Sequence, residues 1–350
     1  MCPARNGYAT LAPAPENLPT KRGLKVRRLY LLTPTFLLLA TLFTIASPGL
    51  AQKDAPPQTK SGFVTTPDGI RIHFLEAGHA TTTGSFRVGG PPPGPGEMSQ
   101  GKVIIGNMKQ ASALLFIPGW TMPADIWEKQ IAHFARAYHV VAMDPRCQGE
   151  SSQTTDGLSP ASRARDIKAV VDQLHLAPVV LIAWSMGVGE AASYVDQFGT
   201  KDVAGIVFVD DVPGADVPAA VYKDLMEFIN GFVQDRRAAT DPFVRSFFKK
   251  PQPEEYLKRV VEASLKTPTN TAVALLVGKF GTDLRPALKK IDRPTVIVAA
   301  KSGFLNLIQA IQPQITGSRL EVFEDAGHAL FVDDADRFNS FLAEFLKSLN

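Results

Sequence analysis

Short apolar runs alternate with segments of helical spacing through most of the chain. In the helical segments apolar residues recur every three to four positions, whereas the strands are continuous, β-branched apolar runs. The predicted strands are 114–117, 140–143, 179–183, 203–209, 295–300 and 320–323. The predicted helices are 124–137, 160–174, 188–198, 305–311 and 335–349. Fully apolar strands that alternate with helices indicate an α/β fold, with a mostly parallel sheet covered by helices on both faces.

The alternation is interrupted near its beginning. Two strand-like runs at 63–66 and 70–76 flank the turn sequence Pro-Asp-Gly at 67–69, which predicts an opening β-hairpin. Residues 78–110 then contain a Gly/Pro-rich stretch with few large apolar side chains. We interpret this segment as a surface insertion, part of which is disordered.

The strands also stop between positions 212 and 284. Helical spacing there predicts short helices at about 219–233, 242–248, 254–265 and 271–277. Helices inserted between two strands of a parallel sheet predict a helical cap over the carboxyl edge of that sheet. The segment is rich in aromatic residues, most of which we expect to form the core of the cap: Phe228, Phe232, Phe243, Phe247, Phe248 and Tyr256.

The first 51 residues have the features of an export signal. Five basic residues precede an apolar run at 29–46, and small residues at Gly49 and Ala51 suit cleavage after Ala51. The alternative is an uncleaved membrane anchor through 29–46, although that run is near the lower length limit for a membrane span. The folded domain is then expected at 52–350, and the mature protein is expected in the periplasm or outside the cell.

Composition narrows the possible partners. The formal net charge of +3 becomes −2 once the leader is removed, because the leader carries six basic residues and one acidic residue. This charge gives no indication of a nucleic-acid partner. Cys147 is the only cysteine outside the leader, so the mature chain can form no internal disulfide. No cofactor or metal is expected.

The most informative local pattern is the junction between the strand at 179–183 and the next helix. It reads Ala-Trp-Ser-Met-Gly at 183–187, which resembles the motif Gly-x-Ser-x-Gly with alanine at the first glycine. A serine on a tight strand-to-helix turn presents its hydroxyl to a base and a substrate. Ser185 is therefore the candidate nucleophile.

A serine nucleophile needs a base and an acid that orients this base. His328 is the candidate base, because it follows the last strand and so falls at the same edge of a parallel sheet as Ser185. The turn after 295–300 carries no carboxylate, whereas the preceding strand ends in Asp210 and Asp211. Asp210 is the candidate acid and Asp211 the reserve; one of the two is expected to serve a turn or a helix cap.

Acyl transfer also develops negative charge on the substrate oxygen, which backbone N–H groups must stabilise. The N–H of Met186 follows the nucleophile, and the N–H of Trp120 lies in the loop after the strand at 114–117. These two groups form the predicted oxyanion hole. The indole rings of Trp120 and Trp184 either line the substrate pocket or pack in the core.

Taken together, these segments resemble the α/β-hydrolase superfamily over about 63–349. Residues 115–120 resemble its strand and His-Gly turn, with Pro118 at the histidine; 143–151 resemble its Asp-x-Arg-Gly-x-Gly-x-Ser segment, with Cys147 at the first glycine. Gly327 and His328 resemble its carboxyl-terminal motif. The missing acid after the penultimate strand is a departure, but some members carry the acid after the earlier strand, as assigned here.

The leader predicts export, and the resemblance implies a serine hydrolase that cleaves carboxylic esters or lactones through an acyl-enzyme. The expected partner is a small-molecule ester or lactone, and membrane contact is expected only through an uncleaved leader. Two alternatives remain open: a catalytically degenerate binding protein of the same fold, and a cofactor-free oxygenase of that fold.

Overall fold

In the computed structural model, the described residues are 57–78, 113–213, 219–302 and 304–349. The predicted leader at 1–51, with its possible anchor at 29–46, lies outside them, and so does nearly all of the predicted insertion at 78–110. Within these ranges no helix is both long and apolar enough to cross a membrane.

Eight strands form one sheet in the order β1-β2-β4-β3-β5-β6-β7-β8. The strands are β1 (Lys60–Thr65), β2 (Arg71–Ala77), β3 (Ala113–Ile117), β4 (His139–Met143), β5 (Val179–Trp184), β6 (Val203–Val209), β7 (Thr295–Ala300) and β8 (Arg319–Phe323). The first two form the predicted antiparallel hairpin, and β2 also pairs antiparallel with β4. All other pairs are parallel, so the predicted α/β fold is confirmed.

Helices connect these strands. They are α1 (Glu128–Phe134), α2 (Pro160–Gln173), α3 (Met186–Phe198), α4 (Ala219–Gln234), α5 (Arg236–Arg245), α6 (Glu254–Leu265), α7 (Thr269–Phe280), α8 (Arg285–Leu288), α9 (Leu305–Ile311), α10 (Leu330–Asp333) and α11 (Ala335–Ser348). Ser159 begins α2 as predicted: its hydroxyl accepts the Ser162 N–H, and Pro160 occupies the first helical position.

The sheet separates two apolar cores. Successive side chains of a strand point to opposite faces, and β3 shows the consequence: Leu114 and Phe116 belong to one core, whereas Leu115 and Ile117 belong to the other. One core contains side chains of α1 and α11, and the other contains side chains of α2, α3 and α9. Burial on both faces explains why the central strands β3 and β5 are apolar throughout.

Helices α4 to α7 lie in the chain between β6 and β7, as the inserted helical segment predicts. The helix predicted at about 242–248 has the wrong boundaries. A helix was expected to begin at Pro242, but α5 begins at Arg236 and contains Pro242 in its interior. Its true start is fixed by Asp235, whose carboxylate accepts the N–H of Ala238 at 2.9 Å. The N-cap therefore outweighs the tendency of proline to begin a helix.

The loop after β4 is held by a buried ion pair. Arg146 donates from Nε and Nη2 to the two carboxylate oxygens of Asp166 in α2, at 2.7 and 2.5 Å, and Nη2 also donates to Asp68 at 3.0 Å. Burial raises the pKa of the Asp166 carboxyl, and the Arg146 guanidinium opposes this shift. Arg146 therefore joins the opening hairpin, the loop after β4 and α2.

We predict that Arg146→Met lowers the free energy of unfolding by about 3–5 kcal/mol, because it leaves the carboxylate of Asp166 buried without its cation. Urea unfolding of the folded domain measures this change. Arg165→Met is the matched control, since Arg165 lies on the exposed side of α2, the helix that contains Asp166. Similar losses in the two variants would contradict the importance of the buried pair.

Candidate active site

Ser185 lies at the junction of β5 and α3 in an unusual backbone conformation. Its φ is 54° and its ψ is −124°, a region that non-glycine residues rarely occupy. The backbone is held there by two hydrogen bonds: the Ser185 N–H donates to Val209 at 3.0 Å, and the Ser185 carbonyl accepts the N–H of Val188 at 2.9 Å. Strained positions of this kind concentrate at functional sites.

Two glycines allow the neighbouring backbone to approach this turn. A Cβ on Gly187 would lie 2.8 Å from the carbonyl oxygen of Pro118, and a Cβ on Gly119 would lie 2.9 Å from the Cβ of Ser185. Both distances are shorter than a real side chain tolerates. The loop after β3 is therefore packed directly against Ser185 because both positions lack a side chain.

The loops that carry the other predicted residues reach the same edge of the sheet. Parallel strands place their carboxyl ends together, and Ser185, Asp210 and His328 all follow such ends. The Nδ1 atom of His328 lies 2.7 Å from Oδ2 of Asp210. The imidazole side chain is 25% exposed and the carboxylate only 1%, so the ring faces the solvent side while the acid is shielded.

Asp210 is held in place by the neighbouring strand β7. Its Oδ1 atom accepts the N–H of Ala300 at 2.8 Å, and its own N–H donates to Val298 at 2.7 Å. Its φ is 50°, a left-handed conformation that aspartate adopts more readily than most residues. The carboxylate thus lies over the end of β7, which is the position where the sequence lacks an acid.

Asp211 is placed differently. Its Oδ1 atom accepts the N–H of Val212 at 2.8 Å, and its Oδ2 atom pairs with the ammonium of Lys279 in α7. The two adjacent aspartates therefore have separate partners: Asp210 contacts the histidine, and Asp211 links the entry loop to the inserted helices.

The two predicted oxyanion donors lie on either side of this turn. Met186 is the first residue of α3, and the first N–H groups of a helix have no acceptor within it. Trp120 follows Gly119, the residue packed against Ser185. Both backbone N–H groups thus belong to segments that adjoin the serine.

The side chains of these two residues enter an apolar cluster formed with the inserted helices. The indole N–H of Trp120 donates to the carbonyl of Ala272 in α7 at 2.8 Å. Its ring packs against three phenylalanines at centroid distances of 5.1 to 5.7 Å, namely Phe228, Phe232 and Phe243. Met186 joins the same cluster. Trp120, Met186 and Phe232 are almost completely buried, so this cluster packs the loop after β3 against the inserted helices.

Trp184 connects the serine turn to the histidine loop. Its indole N–H donates to the carbonyl of His328 at 2.9 Å, and the two rings lie 5.1 Å apart. The indole also packs against Phe247 and Phe331. The indole is buried in the core. Because Trp184 immediately precedes Ser185, its hydrogen bond holds the backbone of His328 close to the serine turn.

Two other histidines also contact carboxylates, so such a pair does not by itself define the site. His73 lies 2.7 Å from Asp144 and His139 lies 2.6 Å from Glu76. The Asp144 carboxylate also accepts the N–H groups of Ala124 and Glu150, which indicates a role in holding loops. The pair formed by His328 differs because it adjoins the strained serine turn.

Cys147 is a poor candidate for a competing nucleophile. Burial raises the pKa of the Cys147 thiol, and its sulfur is hydrogen-bonded to the backbone of Thr154, so the reactive thiolate is disfavoured. Among the described residues no group of three or more histidine, cysteine, aspartate or glutamate side chains is arranged to hold a metal ion.

The sequence interpretation missed a buried polar chain behind the loop after β3. Gln148 donates to the carbonyls of Gly119 and Met122, and it accepts from Arg163. Arg163 in turn lies 3.0 Å from Glu190. Burial raises the pKa of the Glu190 carboxyl, while Arg163 opposes this shift. The sequence did contain a signal for these contacts: Arg163 and Glu190 are charged residues on the otherwise apolar faces of α2 and α3.

Known proteins that are similar to this chain include haloperoxidases and esterases. Over 68% of this chain and 93% of the relative, the sequence is 29% identical to a non-heme chloroperoxidase from Kitasatospora aureofaciens. It is 25% identical to a bifunctional esterase/perhydrolase from Acinetobacter calcoaceticus over 82% of this chain and all of the relative. An esterase structure from Exiguobacterium antarcticum shares the fold, with a TM-score of 0.68, 23% identity, and coverage of 81% of this chain and 98% of that one.

The family comparison covers the region that contains every residue of the site. The sequence profile described as the Alpha/beta hydrolase family matches residues 114–341. This range begins in β3, includes the serine turn and the inserted helices, and ends in α11. The chain therefore belongs to the Alpha/beta hydrolase family.

Proposed function

We propose that the protein is a serine hydrolase that cleaves carboxylic esters or lactones through an acyl-enzyme, with Ser185, His328 and Asp210 as its catalytic triad. The observation that carries the proposal is the 2.7 Å contact between His328 and the buried Asp210, beside a serine held at a positive φ. A serine alcohol is a weak nucleophile, and a neighbouring oriented imidazole is the usual means of activating it.

The first half of the reaction forms the acyl-enzyme. The Nε2 atom of His328 removes the proton of Ser185 as Oγ attacks the ester carbonyl. The resulting oxyanion accepts hydrogen bonds from the N–H groups of Trp120 and Met186. Collapse of this intermediate breaks the bond to the alcohol, which leaves with the proton from His328.

The second half releases the acid. His328 removes a proton from water, which attacks the acyl carbonyl and passes through a second oxyanion. Breaking the acyl bond returns the proton to Ser185 and frees the carboxylic acid. Throughout, the Asp210 carboxylate keeps the proton of His328 on Nδ1 and stabilises the imidazolium.

The names of the relatives include both an esterase/perhydrolase and a chloroperoxidase. A single acyl-enzyme explains both activities in the name esterase/perhydrolase. Attack by water gives the carboxylic acid, whereas attack by hydrogen peroxide gives a peracid. Perhydrolysis is thus a second candidate activity of the same intermediate.

A fluorophosphonate probe should label Ser185 in the folded domain, because the probe reacts with an activated serine. Ser185→Ala should abolish labelling, ester and lactone hydrolysis, and any peracid formed with added hydrogen peroxide. Mass spectrometry of the labelled peptide and a panel of p-nitrophenyl esters and lactones provide the measurements. A folded protein that is neither labelled nor active would favour the binding-protein alternative.

Asp210→Asn should lower kcat by about 10⁴-fold, because the amide cannot keep the imidazole in the required tautomer. Asp211→Asn is the matched control, since it removes the adjacent carboxylate and its partly exposed pair with Lys279, and it should change kcat little. Steady-state kinetics on the best ester compare the two. Greater damage from the Asp211 substitution would reverse the acid assignment.

Export is proposed on the sequence of residues 1–51 alone. When the full chain is expressed in a secreting bacterium, we expect the mature protein to begin at Gln52, because small residues at Gly49 and Ala51 suit cleavage after Ala51. N-terminal sequencing of the periplasmic or secreted protein checks this. Recovery of the intact leader in the membrane fraction would favour the anchor instead.

A further inference from the structure

Gln148 contacts the loop that carries one of the proposed oxyanion donors. It is fully buried, and its Nε2 atom donates to two backbone carbonyls, those of Gly119 at 2.9 Å and Met122 at 2.8 Å. Both hydrogens of the amide are therefore used on the turn after β3. Sequence position does not suggest this contact, because Gln148 lies in the loop after a different strand, β4.

The orientation of this amide is determined by its third partner. The Oε1 atom of Gln148 accepts from Nη2 of Arg163 at 2.7 Å, and a guanidinium can only donate. A flipped amide would direct its N–H groups at the arginine and its oxygen at two carbonyls. Arg163 is itself buried, with Nε 3.0 Å from Oε1 of the buried Glu190. The Gln148 amide thus has one satisfactory orientation.

Gly119 and Trp120 share one peptide unit, and this links Gln148 to the oxyanion hole. In a planar trans peptide the carbonyl oxygen and the following N–H point in opposite directions. A donor that holds the Gly119 carbonyl on one side therefore directs the Trp120 N–H to the other side. The same hydrogen bond polarises the peptide and strengthens its N–H as a donor.

The direction of the Trp120 N–H matters because the preceding residue, Gly119, is packed against Ser185. A Cβ on Gly119 would stand 3.4 Å from Oγ of Ser185, so a small rotation of this peptide changes where the N–H lies relative to the reacting carbonyl. Gly119 has no side chain to resist such a rotation. The Met122 N–H also donates to the Gly119 carbonyl, at 3.2 Å, and Gln148 adds a shorter hydrogen bond from behind the loop.

We propose that Gln148, oriented by Arg163, is a positioning residue that aims the backbone N–H of Trp120 into the oxyanion hole. The inference rests on the proposed esterase function. Gln148 does not touch the substrate; it acts through the peptide between Gly119 and Trp120. It therefore contributes to stabilising the transition state more than to binding the ground state.

Gln148→Met keeps the length and most of the shape of the side chain and removes both donors. Because loss of one oxyanion donor lowers kcat by about 10²–10³-fold, misdirection of one should lower kcat by about 10–100-fold with little change in KM. Gln130→Met is the matched control. Gln130 is also fully buried and donates from Nε2 to the carbonyl of Phe331 and to Asn339, away from this loop.

Gln148→Met also removes the acceptor of the buried Arg163 and should lose more stability than Gln130→Met, but only Gln148→Met should lose kcat selectively in the folded protein. Gln148→Met should also weaken the binding of a trifluoromethyl ketone inhibitor, which forms an oxyanion when Ser185 adds to it. The loss of affinity should equal the loss of kcat/KM. Equal kinetic effects in both variants, or a higher KM with unchanged kcat, would overturn the positioning role.

Gln148→Glu provides a second test if the methionine variant does not fold. Its carboxylate still accepts from Arg163 but has no donor for the Gly119 carbonyl, whereas its protonated form donates one O–H. Its activity relative to the parent protein should therefore rise as the pH falls. A constant ratio across the pH range would count against the proposal.

The failure of this inference is distinguishable from failure of the proposed function. If the parent protein has no Ser185-dependent activity or labelling, the esterase assignment fails. If the parent is active and Gln148→Met matches Gln130→Met, the esterase assignment stands and the role of Gln148 is refuted.

Discussion

A buried carboxylate needs hydrogen-bond donors, and the arrangement of the candidate site depends on the donors that contact Asp210. Its side chain is almost completely buried, so an unpaired charge there would be strongly unfavourable. The end of β7 supplies the N–H of Ala300, and the loop after β8 supplies His328. An acid after β6 can therefore occupy the place over β7, and the chain needs no carboxylate after β7 itself.

This arrangement depends on a parallel sheet, in which the loops that follow the strands emerge at one edge. Ser185, Asp210 and His328 follow β5, β6 and β8, and the parallel pairing of β5 to β8 brings the carboxyl ends of these strands together. Trp184 then joins the first and last of these loops through its hydrogen bond to His328. The rigid strands set the positions, and short loops present the side chains.

Much of this could be predicted from sequence because it depends on local patterns. Apolar runs located the strands, and Ser185 and His328 were chosen as candidates from their positions just after strands. Asp210 and Asp211 could be ranked but not separated, since adjacent loop residues differ only in the direction of their side chains. The Gln148 contact depends on packing between loops after different strands. Pro242 was misread because the capping by Asp235 decides where α5 begins.

The central claim is that Asp210 keeps His328 in the tautomer that leaves Nε2 free to accept the proton of Ser185. Nitrogen-15 NMR of the protein labelled at its histidines reports this directly at a pH where the imidazole is neutral. The account predicts that Nδ1 of His328 carries the proton and that Nε2 has the shift of an unprotonated nitrogen. A proton on Nε2 and none on Nδ1 would contradict it.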